Sequence, residues 1–187
     1  MNFFLGVEAI NTPAGLFLSQ HKYINDLLVK TKMQDAKPVS TPLCHTETLR
    51  LHDGTPSTDA TMYWQVIGAL QYLSLTRPEI SFAVNKVSQF MHLPRVTHWS
   101  AAKRLLRYLK GTFHHGLFIR RHSPLKLHAF SDADWAGNQD DRSSTSAYVI
   151  FLGSNPISWS SRKQKTIARS STEAEYRAVA STTVEVN

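Results

Sequence analysis

One cysteine stands in 187 residues, and a lone thiol, Cys44, closes no internal disulfide. That excludes a disulfide-stapled scaffold. No apolar run approaches the roughly 20 residues that cross a bilayer, and the opening MNFFLGVEAI lacks the basic and long apolar regions of a secretory signal. The expectation is a soluble intracellular protein with no membrane contact, in a compartment the chain does not encode. Acidic residues are absent from Ile80 to Ser131, where Lys86, Arg95, Lys103, Arg104, Arg107, Lys110, Arg120, Arg121 and Lys126 all fall. His114, His115, His122 and His128 have no cysteine partners and no His-x-x-x-His pair on a helical stretch, which argues against structural zinc. Low-complexity segments and internal repeats are missing too.

What is present is globular. Hydrophobic residues make up 42% of the chain, enough for one moderate core or two small ones. The formal charge of +7 favours a polyanionic partner, nucleic acid first among them. The same charge also reads as a solvated basic face. Strand-like runs at 2–10 and 15–19 flank the turn Asn11-Thr12-Pro13-Ala14 and predict a hairpin. Helical spacing follows over 22–32, and Pro38, Pro42, Gly54 and Pro56 mark 36–56 as an extended loop. Further helices are expected from Thr61 to Arg77-Pro78, over 80–91, and from about His98 to Lys110, closed by Gly111. The last carries Trp99, Ala102, Leu106 and Leu109 on one face, with Lys103, Arg107 and Lys110 on the other.

After His115 the period changes to that of strands, at 116–119, 125–131, 146–151 and 156–160. The Gly137-Asn138 and Gly153-Ser154-Asn155 turns make the last three an antiparallel meander. A final helix begins at the capping spacings Ser170-x-x-Glu173 and Thr172-x-x-Glu175. The fold class expected is therefore α+β.

In this order SDADWAG (131–137) puts Asp132 at the end of an apolar strand, and RSSTEAEYRAVA (169–180) puts Glu175 in the first turn of a helix. A strand carboxylate and a helix carboxylate that converge can hold divalent metal, and paired metals activate water for phosphodiester cleavage. Each acid also has an ordinary reading, Asp132 as a turn residue and Glu175 as an acid favoured by the helix dipole. Glu175 shares a helix face with Ala178 and Val179, which is expected to pack inward on the sheet. Asp134 projects to the same side as Asp132 if the strand continues, or else sits solvated at the turn. Glu173 reads as a cap.

FFLGVEA, GLFLSQHKYINDLL, KPVSTPL, IGALQYLSLTRPEISFAVNKVSQFM, HWSAAKRLLRYLKGT, SDADWAG, STSAYVIFLG, ISWSSRKQ and RSSTEAEYRA, in this order, resemble the Pol polyprotein of copia-type LTR retrotransposons over essentially the whole chain. The resemblance implies the end of a reverse transcriptase palm over 1–20, a helical thumb and connection region over 21–123, and a partial ribonuclease H-like domain over 124–187. It assigns Asp132 and Glu175 as catalytic and metal ligands, with Asp134 a weak third, and Mg2+ as the parental cofactor. Lys103, Arg104, Arg107, Lys110, Arg120 and Arg121 become candidate contacts to an RNA:DNA hybrid or duplex.

It also implies what this stretch does not hold. The family's Tyr-x-Asp-Asp polymerase motif occurs nowhere, and the next ribonuclease H aspartate would fall beyond Asn187. The parent is an RNA-directed DNA polymerase and ribonuclease H, whereas this chain alone is expected to be inactive, with weak or absent magnesium binding. Two alternatives stand beside that reading, a non-catalytic nucleic-acid-binding remnant and a degenerate product without selected function. Self-association through an exposed sheet edge is expected. Trp64, where the family usually has a basic residue, and Ala147, where it usually has Gly, depart from the pattern.

Overall fold

A computed structural model of the chain describes residues 2–44 and 48–187. The expected loop over 36–56 includes residues 45–47, which lie outside the described residues. The chain divides into two compact units, Met1–Phe118 and Ile119–Asn187, so the N-terminal strands and the helical region share the first unit.

That unit opens with strands β1 (Asn2–Phe4), β2 (Val7–Thr12) and β3 (Gly15–Ser19), and it ends within β4 (Leu117–Arg120), the strand next to β3 in the same sheet. The run expected to be one strand over 2–10 is two, because Leu5 and Gly6 both take positive φ (47° and 78°). Two successive left-handed residues make a tight turn, and β1 folds back antiparallel on β2.

Four helices follow: α1 (His21–Lys30), α2 (Ala60–Leu73), α3 (Ser81–Ser88, entered through a 3-10 turn at Pro78–Ile80) and α4 (Val96–Gly111). Asp59 starts α2 by accepting a hydrogen bond from the Met62 amide at 3.1 Å. The stripe Tyr63, Val66, Ile67, Leu70 and Leu73 is buried against Ala83, Val87, Ala102, Leu105, Leu106 and Leu109. This is one apolar core built from i, i+3, i+4 spacing.

Two polar groups are buried with it. Arg77, 1% exposed, donates to the Thr112 carbonyl (3.1 Å) and hydroxyl (2.6 Å) at the end of α4, and pairs with Glu79 at 2.5 Å. A cation at a helix C-terminus meets the negative end of the dipole. His98, fully buried, stacks on Phe90 with centroids 4.0 Å apart. Its Nδ1 accepts from the Arg95 amide and its Nε2 donates to the Arg50 carbonyl, so one neutral tautomer satisfies both groups. Helix α4 consequently starts at Val96 rather than at His98.

The second unit is a three-stranded antiparallel sheet in the order β5 (Leu127–Asp134), β6 (Thr145–Leu152), β7 (Asn155–Lys163), followed by α5 (Ser171–Val186). The α+β class stands as expected. Gly153 (φ 62°) closes the β6–β7 hairpin, where an added Cβ would meet Ser123 Oγ at 2.1 Å and the Pro124 carbonyl at 2.2 Å.

Candidate functional site

Cross-strand partners share a sheet face. Ser131 pairs with Tyr148, Ala133 with Ser146 and Ala129 with Ile150, whereas Asp132 pairs with Ala147 and Phe130 with Val149. Gln164 Nε2 donates to both Ser146 Oγ (2.8 Å) and the Ala174 carbonyl (3.0 Å), which ties α5 to the Ser146 face. On that face Ile150 is buried, as are Ala174, Ala178 and Thr182 of α5.

Asp132 therefore stands on the opposite face, with Phe130 and Asp134. All three are exposed, Phe130 at 59%. Asp132 also lies on an edge strand of this sheet. Glu175 is exposed on α5 beside Tyr176 and Val179, each at least half exposed. This corrects the inward placement expected from its spacing: Ala174 and Ala178 pack on the sheet, but Glu175 and Val179, each the next residue and so about 100° further round the helix, face solvent.

Neither the Asp132 nor the Glu175 carboxylate has a hydrogen bond or ion pair among the described residues, so both are bare oxygen donors. No group of three or more His, Cys, Asp or Glu is placed to hold a metal ion among the described residues. Asp134 does share the Asp132 face, because β5 continues to it. Its carboxylate is packed on Gly137, where an added Cβ would fall 1.7 Å from Oδ2. That is the geometry of a turn residue.

Glu173 is the cap. Its backbone N–H donates to Ser170 Oγ at 3.1 Å while its carboxylate accepts from the Arg169 amide at 2.7 Å and from Arg177 at 2.6 Å. The Arg169 amide, ahead of the Arg177 guanidinium, holds its carboxyl below the usual range.

The basic surface divides similarly. Arg104 donates to Thr41 Oγ1 at 2.8 Å and Arg107 to the Lys37 carbonyl at 2.7 Å. These two pin the long loop to α4. Lys103 and Lys110, half-buried along their stems, make no hydrogen bond or ion pair among the described residues. Arg120 engages Asn155 only through its backbone, leaving its exposed side chain and that of Arg121 available. The first four cations belong to the first unit and the last two to the second.

The departures from the family pattern find places. Trp64 donates its indole N–H to the Met91 carbonyl at 2.6 Å, capping the turn after α3. Ala147 is the residue directly across from Asp132. Sequence reasoning missed the buried roles of Arg77 and His98. The signal was local and faint, an Arg before Pro and a His three residues after Arg95, and their partners lie 35 and 48 residues away.

The whole chain is similar to a retrovirus-related Pol polyprotein from transposon RE1 of Arabidopsis thaliana, at 56% identity over 186 residues. A Pol polyprotein from transposon TNT 1-94 of Nicotiana tabacum aligns with 97% of it at 39% identity. The chain spans only 13% and 14% of those relatives' lengths. An uncharacterised mitochondrial protein of Arabidopsis thaliana is 48% identical over 100% of this chain and 77% of its own length. No family model and no solved structure matches. Among the described residues no helix is long and apolar enough to cross a membrane.

Proposed function

Because the chain belongs to the retrovirus-related Pol polyprotein family of copia-type retrotransposons, we propose that it is the segment joining the end of a reverse transcriptase to the first part of a ribonuclease H-like domain. The observation that carries this reading is the order β5-β6-β7-α5, with Asp132 near the end of the first strand and Glu175 in the first turns of the helix packed on that sheet. In the parent polyprotein the activities would be RNA-templated DNA synthesis and metal-dependent cleavage of RNA in an RNA:DNA hybrid.

The donors suit magnesium in kind, since both are hard carboxylate oxygens, but not in number or in placement, because Asp132 stands on the sheet face opposite α5 and Glu175 faces solvent. Two-metal hydrolysis needs enough anionic ligands to clamp ions about 4 Å apart. Asp132 and Glu175 supply two carboxylates, and Asp134 is engaged in its turn. No cleavage step is therefore derived for the isolated chain. Its role in this reading is to hold nucleic acid, with Lys103 and Lys110 presenting ammonium groups to phosphates. Those unpaired lysines favour the second reading, binding without catalysis.

The test is a labelled RNA:DNA hybrid incubated with the 187-residue chain and magnesium. Binding without cleavage is expected. Cleavage should appear when the downstream segment of a related transposon is appended, and disappear again in Asp132→Asn or Glu175→Gln. Robust cleavage by the isolated chain, abolished by Asp132→Asn, would overturn the incomplete-site reading.

A further inference from the structure

The tetrapeptide Arg-Ser-Ser-Thr occurs twice, at 142–145 and at 169–172, and the fold treats the two copies oppositely. In the first, Ser143, Ser144 and Thr145 are 4%, 0% and 4% exposed. Ser143 Oγ donates to Asp141 at 2.7 Å, Ser144 Oγ accepts from the Ala136 amide at 3.1 Å, and Thr145 opens β6. In the second copy all four residues are exposed. Ser170 caps α5, but the hydroxyls of Ser171 and Thr172 have no hydrogen bond among the described residues. The exposed Arg169 guanidinium makes no hydrogen bond or ion pair among them and only helps, by its charge, to hold the Glu173 carboxyl down. The seven residues between β7 and Ser171, 164–170, form no helix or strand and add Lys165 to the basic run begun by Arg162 and Lys163.

We propose that Thr172 is a phosphorylation site for a protein kinase whose acidic groove reads an arginine three residues before the acceptor. Three features fit that chemistry. The arginine is an exposed planar cation in no direct ion pair among the described residues, of the shape that pairs bidentately with a carboxylate. The hydroxyl is solvated and uncommitted. The approach segment forms no helix or strand, and Thr172 follows the cap residue Ser170 at an exposed position. In the transfer, Thr172 Oγ forms a bond to the γ-phosphorus of ATP while that phosphorus loses its bond to the β–γ bridging oxygen. The hydroxyl proton passes to the kinase base, ADP leaves, and nothing is oxidised. The phosphate arrives three residues before Glu175, on the helix surface that Ser171, Thr172, Glu175 and Tyr176 line together. It would place up to two negative charges beside that carboxylate.

The duplicate supplies an internal control, because trypsin separates the copies into peptides 143–162 and 170–177. The folded chain, a purified kinase requiring arginine at that position and ATP are combined, and the peptides are read by mass spectrometry. One phosphoryl group is expected on 170–177 and none on 143–162, whereas urea-unfolded chain should be labelled on both. Thr172→Ala should remove the label. Arg169→Ala, which leaves the capping backbone intact, should slow labelling about tenfold or more through loss of the charged pair. Label on 143–162 in the folded chain, no label on 170–177, or full labelling of Arg169→Ala would each overturn the proposal. The outcome is independent of whether Glu175 binds metal.

Discussion

Arg104 and Arg107 commit their guanidinium groups to Thr41 and Lys37, while the ammonium groups of Lys103 and Lys110 on the same helix have no hydrogen bond or ion pair among the described residues. Replacing both lysines with Ala should flatten the log–log salt dependence of hybrid binding by about 2 units. Equilibrium binding at several salt concentrations checks this, and an unchanged slope would mean the two lysines are only solvated. Arg104→Ala and Arg107→Ala should instead loosen the loop and lower the unfolding temperature. A titration argument applies to Asp141. Burial pushes its carboxyl up, but hydrogen bonds from Lys163 and Ser143 outweigh that and hold it at about 2. A depressed carboxyl contributes stability that is full above the unfolded value of about 3.9 and is lost as pH falls through the folded one. Urea midpoints of the chain should therefore drop between pH about 4 and 2 more steeply than those of Asp141→Asn.

At the scale of elements, two glycines make opposite demands. Gly153 holds the β6–β7 hairpin at φ 62° with backbone and Ser123 closing over it. Gly68 lies exposed within α2 with nothing within 4 Å of an added Cβ. Gly153→Ala should cost about 2 kcal/mol or more, adding a clash to the left-handed penalty, whereas Gly68→Ala should gain up to about 1 kcal/mol in helix propensity. Thermal unfolding of both variants decides it, and equal signs would contradict the argument. The hairpin was readable from the Gly-Ser-Asn turn, and α2 from its stripe ending at Arg77-Pro78. The split of 2–10 into two strands was not, because Leu5 in a left-handed conformation carries no propensity signal.

For the whole molecule, the second unit leaves β5 and β7 as sheet edges, with the Phe130 face exposed around a Phe130–Phe151 pair whose centroids lie 6.1 Å apart. Unpaired edges beside apolar surface template association. Sedimentation should show concentration-dependent oligomers, and Phe130→Lys should shift them toward monomer without changing the helical signal. A monodisperse wild-type chain would contradict this. The uneven charge persists at this scale: the first unit holds 12 Lys and Arg against 7 acids, the second 9 against 7.

The amino-acid sequence by itself determined the helical stripes, the meander, the cap at Ser170 and the family, because each rests on neighbours within a turn, on a period of two or 3.6, or on the order of short motifs. Tertiary structure alone decided which groups remain available. Arg104 and Arg107 find their partners 63 and 70 residues away, Trp64 finds a carbonyl 27 away, and the Ser-Ser-Thr of one Arg-Ser-Ser-Thr is buried while that of its twin is exposed. Asp132 and Glu175 were named by sequence order, but the sheet face and helix side they occupy follow from strand register and from how α5 packs. Local spacing fixes what an element is, and only long-range contact fixes what its side chains are left free to do.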